Sequence, residues 1–224
     1  LRNLSVNAWI ASSLVLGGLA GAAPQAKLPD SLTQAVKPSK PTAGKRLGMA
    51  SGVAVSGHSV LAVGPRGLIA LSTDDGQSWE QVASPVSSDL TSVRFTSATT
   101  AWALGHDSVM LRSDDTGKTW SKVLDGRDVV SLLAKTYEAG PEWLRTEVER
   151  TSGQAATPGV WTAPFLDIAF VNARQGYAVG GFGLLMKTED GGKTWMPWLA
   201  HADNPRLFHL YAVAVRGSDV WIAG

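Results

Sequence analysis

Short apolar alternations recur along the chain, each followed by a small polar turn. VAV (53–55), LTSVRF (90–95), LDIAFV (166–171) and YAVAV (211–215) put apolar side chains at about every second position. That is the period of a strand with one face buried. A second run follows each of these and closes on a glycine: VLAVG at Gly64, AWALG at Gly105, GYAVG at Gly180 and VWIAG at Gly224. Eight residues beyond the first three glycines stand Ser72, Ser113 and Thr188, and fifteen residues beyond stand Trp79, Trp120 and Trp195. Fixed internal spacing of this kind marks a structural repeat.

Each unit predicts four short antiparallel strands. In the third unit they fall at 165–171, 176–180, 184–188 and about 194–198. The glycine-to-glycine step is 41 residues from Gly64 to Gly105 and 44 from Gly180 to Gly224. Four strands in about 40–45 residues is the signature of a β-propeller blade. The predicted fold class is therefore all-β, with blades at about 50–82, 90–123 and 165–198 and the start of a fourth at 210–224. A β-sandwich is the competing reading, but sandwiches do not repeat a loop motif at constant register. Propellers close with about four to eight blades, so these units read as part of a larger ring. The step from Gly105 to Gly180 is 75 residues, which leaves an insert at 124–164. Strand alternation stops there, and residues 128–153 predict two short helices around Gly140–Pro141.

The motif at constant register is STDDGQSW (72–79), SDDTGKTW (113–120) and TEDGGKTW (188–195). A single copy could be a catalytic acidic loop or a metal loop. Three copies, each between the third and fourth strands of a unit, point to what a tight reversal needs. Asp74, Asp115 and Asp190 can accept bonds from backbone N–H groups of the turn. Gly76, Gly117 and Gly192 permit a positive φ, and the Trp packs back on neighbouring strands. A reactive site would not need copying into every unit, so the motif reads as scaffold.

Composition narrows the chemistry. The chain has no cysteine, which removes disulfides, thiolate zinc sites and cysteine nucleophiles. Net charge is +1, with a basic cluster between Lys27 and Arg46; from residue 50 onward there are 14 basic and 18 acidic residues. No nucleic-acid footprint is present in that balance. Arg2 followed by the apolar run 8–23, with small residues at Ala20, Ala22 and Ala26, predicts a secretory signal over 1–23 and an exported protein. A membrane anchor is the other reading of that run. Residues 24–48, with four prolines, predict a disordered basic linker. The four histidines fall in different loops and the acidic motif lacks alternating oxygen ligands, so neither a metal nor a cofactor is predicted.

The eight-residue motif resembles the Asp-box, or BNR repeat, of sialidases, other glycoside hydrolases and sortilin-like receptors. The fuller pattern, as in IAFVNARQGYAVGGFGLLMKTEDGGKTW, is most similar to the photosystem II stability/assembly factor family and its relatives in non-photosynthetic bacteria. That resemblance covers roughly 50–123 and 165–224. It implies an exported propeller, usually seven-bladed, that acts as an assembly or scaffold protein without known catalysis. Its partner would be a membrane protein or complex on the extracytoplasmic side, in a periplasm, thylakoid lumen or outside the cell. The insert departs from the family pattern, as does the small number of blades, which makes this chain a fragment of the ring.

Strand alternation puts the motif loops on one face and the second-to-third-strand turns, with the blade-to-blade connections, on the other. Function on repetitive scaffolds concentrates in variable loops. Arg66, His106, Asp107 and Phe182 in those turns, and Trp143 and Arg145 in the insert, are the candidate binding residues. The plainer reading of the insert is that its apolar stripe packs on the propeller rim. The alternative function is a sialidase-type glycoside hydrolase acting on a glycan, which needs an arginine cluster and a tyrosine nucleophile. Tyr177, at the strand position held by Trp102 and Trp221 in other units, reads as packing.

Overall fold

The computed structural model of the protein describes residues 30–37, 49–153 and 159–224. The expected signal, 1–23, lies outside these residues, as does most of the expected linker.

Three four-stranded antiparallel sheets form in chain order, followed by one hairpin. The first comprises β1 (Gly52–Ser56), β2 (Ser59–Gly64), β3 (Leu68–Ser72) and β4 (Glu80–Val82). The second comprises β5 (Leu90–Phe95), β6 (Ala101–Gly105), β7 (Met110–Ser113) and β8 (Ser121–Leu124). Two helices follow, α1 (Gly126–Tyr137) and α2 (Glu142–Gly153). The third sheet is β9 (Phe165–Phe170), β10 (Gly176–Gly180), β11 (Leu185–Thr188) and β12 (Met196–Pro197), and the hairpin is β13 (Ala212–Arg216) with β14 (Asp219–Ala223). Each sheet is a simple meander, and the leading strands β1, β5, β9 and β13 neighbour one another in turn. This is propeller architecture, three complete blades and the first two strands of another.

The glycine that closes each second strand is there for close approach. A Cβ on Gly64, Gly105, Gly180 or Gly224 would run into the carbonyl of Met49, Asp89, Pro164 or His209, the residue that leads into the same blade's first strand. A side chain at that point would push the entry to the blade away from its second strand, so the repeat keeps glycine there.

Adjacent blades are stitched through their leading strands. Asp167 on β9 is buried and accepts from Arg94 Nε of β5 at 2.9 Å and from the Val213 N–H of β13 at 3.2 Å, so one carboxylate ties three blades. Thr91 Oγ1 donates to the Phe165 carbonyl at 2.9 Å. Buried apolar residues fill the spaces between sheets: one cluster holds Leu61, Val63, Ile69, Val93 and Leu111, and another holds Trp102, Met110, Phe165, Ile168 and Met186.

The insert folds as two helices, and α1 starts at a capping box. Asp125 accepts from the Arg127 N–H while Asp128 accepts from the Asp125 N–H. Val129, Leu133 and Tyr137 of α1 and Leu144 and Val148 of α2 are buried in the same cluster as Trp102 and Phe165. The plainer expectation, rim packing, describes that stripe. Trp143 is not part of it: its side chain points outward, 41% exposed.

Residues 30–37 depart from the expected disordered linker. Leu32 is buried with the first cluster, and Val36 makes a bridge with Ser84. The cause lies in the residues themselves, since this stretch carries the linker's Leu32 and Val36 and no proline.

Candidate binding face

The three motif loops are built alike, and each named position has a use. In the second blade, Ser113 Oγ bonds Asp115 Oδ1 at 2.8 Å and accepts from the Gly117 N–H at 2.8 Å. Asp115 also accepts from the Thr119 N–H at 2.9 Å and the Thr119 hydroxyl at 2.6 Å. Ser72, Asp74, Gly76 and Ser78 repeat this in the first blade, and Thr188, Asp190, Gly192 and Thr194 in the third. The first hydroxyl position, Ser72, Ser113 and Thr188, belongs to the expected structural motif; the second, Ser78, Thr119 and Thr194, has no role in the sequence reading, although its presence in all three copies is a usable signal.

Those bonds fix the carboxylates as anions. Asp74 is held at about 2 by the Ser78 hydroxyl and N–H and the Ser72 hydroxyl, and Asp190 at about 2 by the matching Thr194 and Thr188 groups. For Asp115, burial pushes the pKa up, but the Thr119 and Ser113 bonds outweigh it and the group lies at about 2. A carboxyl this acidic is a poor general acid near neutral pH. Each loop is also tied to the first-to-second-strand turn of its own blade: Asp75, Thr116 and Gly191 N–H groups donate to the His58, Thr99 and Arg174 carbonyls.

The tryptophans are not equivalent. Trp79 and Trp120 are half-buried and donate their indole N–H to the Gly76 and Gly117 carbonyls at 3.0 and 2.9 Å. Trp195 is buried, edge-on to Trp102 and Phe170 at 5.8 and 6.1 Å, and its N–H has no partner. The preceding blade decides this. It presents Leu61 to the second motif loop and Trp102 to the third, and the larger ring draws Trp195 into an aromatic cluster with Phe170, itself stacked on Trp102 at 5.6 Å.

On the opposite face, Arg66, Asp107 and Phe182 occupy one turn position in successive blades, with φ of 53°, 56° and 53°. Non-glycine residues in the left-handed region are uncommon and need surrounding structure to hold them. Here the next blade holds them. The Arg66 N–H donates to Asp89 Oδ1 at 2.7 Å, the Asp107 N–H to the Thr162 carbonyl at 3.1 Å, and the Phe182 N–H to His209 Nδ1 at 2.9 Å. Each turn is thereby locked to the connection that enters the following blade.

The predicted binding residues share this face in part. Arg66 and His106 are exposed, and Phe182 is 42% exposed with its ring 5.0 Å from His209. They stand on neighbouring blades and do not form one cluster. Asp107 is engaged: its Oδ2 accepts from Ser88 Oγ at 2.9 Å and Ser31 Oγ at 3.2 Å. Trp143 lies beside Pro205 in a shallow depression, and Arg145 lines a cleft of about 410 Å³ between α1 and α2 with Val130, Leu133, Tyr137 and Val148. Tyr177 packs against the cluster of Val179 and Val213, with its hydroxyl bonded to Gln175 at 2.9 Å. Sequence reasoning did not find Ser31, Leu32 or His209, whose partners lie many residues away or at blade boundaries.

Radial meander sheets, with internally bonded motif loops on one face and the remaining turns on the other, define a repeat β-propeller. The family model described as "Photosynthesis system II assembly factor YCF48" matches residues 19–114 and 159–224, and the chain belongs to that family. Among solved structures it is similar to YCF48 from Cyanidioschyzon merolae, with a TM-score of 0.51 and 17% identity over 78% of this chain and 48% of that one. The chain thus spans about half the length of that relative. A structure described as YCF48 bound to D1 peptide aligns with a TM-score of 0.31 and 15% identity over 77% of this chain and 73% of that one. A GH74 enzyme from Niastella koreensis aligns with a TM-score of 0.44 and 19% identity over 78% of this chain and 21% of that one. No curated protein matches the sequence.

Proposed function

We propose that the protein is an exported, non-catalytic propeller that binds a segment of a membrane protein on the extracytoplasmic side and assists assembly of its complex. Membership of the YCF48 family supports the assembly role, and one YCF48 is described as bound to a D1 peptide. The Arg2-led apolar run at 8–23 supports export.

The observation that carries the binding reading is the division between the two faces. In each motif loop the first hydroxyl, the Asp carboxylate and the second hydroxyl are consumed within the turn, whereas Arg66, His106 and Phe182 project from turns whose backbones are locked. Side chains on pre-organised turns bind with less ordering cost than side chains on loose loops.

The test is capture from detergent-solubilised membranes, with bound proteins identified by mass spectrometry. Integral membrane proteins should be retained by the parent protein and by Lys118→Glu on the motif face. Arg66→Glu with Phe182→Ala should lose them. Equal retention by the parent and both variants contradicts the assignment of the face.

A further inference from the structure

Residues 30–37 lie across the boundary of the first two blades as a bound peptide would. Four main-chain atoms of the segment are engaged. The Ser31 carbonyl accepts from the Ser87 N–H at 2.8 Å, and the Leu32 carbonyl from Lys122 Nζ at 3.1 Å. Val36 exchanges both backbone bonds with Ser84, at 2.8 and 3.0 Å. The segment turns at 31–33, where the Thr33 and Gln34 N–H groups donate to the Asp30 carbonyl, and then bridges Ser84 through Val36. As in other docked peptides, main-chain bonds supply affinity and a few side chains supply specificity.

Four side chains of the segment have partners outside it: Asp30, Ser31, Leu32 and Gln34, whose Oε1 accepts from Ser87 Oγ at 3.2 Å. Leu32, 3% exposed, enters the buried cluster that includes Val86 and Val160. Asp30 pairs with Arg127 in the first turn of α1. The insert helps to frame this groove, since Lys122 is itself oriented by Asp125, the α1 cap, at 2.6 Å. The groove also adjoins the candidate face, because Ser31 takes up part of the Asp107 carboxylate.

We propose that the groove is a peptide-recognition site, filled here by an internal segment that a partner displaces. The partner segment forms a turn opened by an acidic residue, with a leucine two positions later and a β-branched residue four positions after that. The stretch 38–48, with Pro38, Pro41, Gly44 and Gly48, reads by composition as the tether of the internal competitor. A tethered ligand has an effective concentration of order mM, so a free peptide binds only when it outcompetes that. The identity of the partner rests on the function proposed above; the exchange itself does not.

The test uses the full chain with a specific protease site placed within 41–46, folded intact and then cleaved and dialysed. The probe is a fluorescent peptide of residues 28–37, LPDSLTQAVK, followed by anisotropy. The cleaved protein should bind it, and the uncleaved protein should bind it about 10- to 100-fold more weakly. A probe with Leu32→Asp should not bind. A probe with Asp30→Arg should bind weakly and recover on protein carrying Arg127→Glu. Retention of the cleaved segment through dialysis without exchange overturns the proposal, as does loss of near-UV circular dichroism when the segment leaves. Equal binding to cleaved and uncleaved protein overturns it too. Failure of membrane-protein capture with successful exchange would fault only the proposed function.

Discussion

The indole of Trp102 in the second blade occupies the space that a side chain on Gly192 of the third would need. The same relation links Leu61 of the first blade to Gly117 of the second. The motif glycine therefore serves two ends, a positive φ (90° at Gly117, 82° at Gly192) and a seat for the second strand of the preceding blade. Arg112 adds to the third seat, donating to the Gly191 carbonyl at 2.8 Å while lying 5.3 Å from the Trp102 ring. The motif is thus a blade-to-blade joint as well as a turn.

Gly76 shares the backbone conformation (φ 84°) but has open space where a Cβ would go, apart from Trp79 at 3.7 Å. The two costs can therefore be separated. Gly76→Ala should lose only the left-handed penalty, roughly 1–2 kcal/mol. Gly192→Ala should lose about 2–5 kcal/mol, because overpacking against Trp102 is added. Urea denaturation of the two variants measures the difference.

The two tryptophan environments should also separate. Trp102→Ala removes a fully buried ring at the joint and should cost about 3–5 kcal/mol. Trp120→Ala removes a half-buried ring, so its cost should fall at or below the lower end of that range. Equal losses in thermal unfolding would mean that the joint is not where the stability lies.

Acid should act through the motif carboxylates. Asp74, Asp115 and Asp190 have folded pKa values of about 2, below the ordinary 3.8. A depressed carboxyl stabilises the fold fully above the unfolded value and loses that contribution as pH falls through the folded one. Stability should therefore drop between about pH 4 and pH 2. Asp115→Asn should be the less stable protein at pH 7, and its deficit against the parent should shrink across that window. A deficit independent of pH in chemical denaturation would show that ionisation is not the cause.

Much of this was legible in the chain. Period-two alternation located all the leading and second strands, and the third unit's strands ended within about two residues of the expected limits. Fixed Gly-to-Trp spacing located the motif turns because the bonds that close them, from the Ser/Thr, Asp and Gly positions, span four residues or fewer. The insert helices were legible from lost alternation and Gly140–Pro141, although the start at Asp125 required its cap. What was not legible is long-range. Nothing near Leu32 announces Lys122 or Asp107, and nothing within TEDGGKTW distinguishes Trp195 from Trp120; the preceding blade does. Asp107 was a reasonable surface candidate that the docked segment turns into a satisfied acceptor.

The insert should be indispensable to the fold. Replacing 126–160 with a Gly/Ser linker would preserve blade spacing, but it would strip Val129, Leu133, Tyr137, Leu144 and Val148 from the cluster containing Trp102 and Phe165. Loss of that much buried apolar surface exceeds the slow change in loop-closure entropy. The deletion should therefore unfold the second and third blades in near-UV circular dichroism. Trp143→Ala, at an exposed position, should leave stability within about 0.5 kcal/mol of the parent.

The most direct measurement is site-specific photo-cross-linking on the two faces. A photoreactive phenylalanine analogue is placed at Phe182 or His106 on one face, and at Lys118 or Lys193 in the motif loops on the other. Each protein is irradiated with membranes from an exporting host and the adducts are sequenced. Adducts to extracytoplasmic segments of membrane proteins at Phe182 and His106, with none at Lys118 or Lys193, are the predicted result. Membrane-protein adducts confined to the motif loops would contradict it.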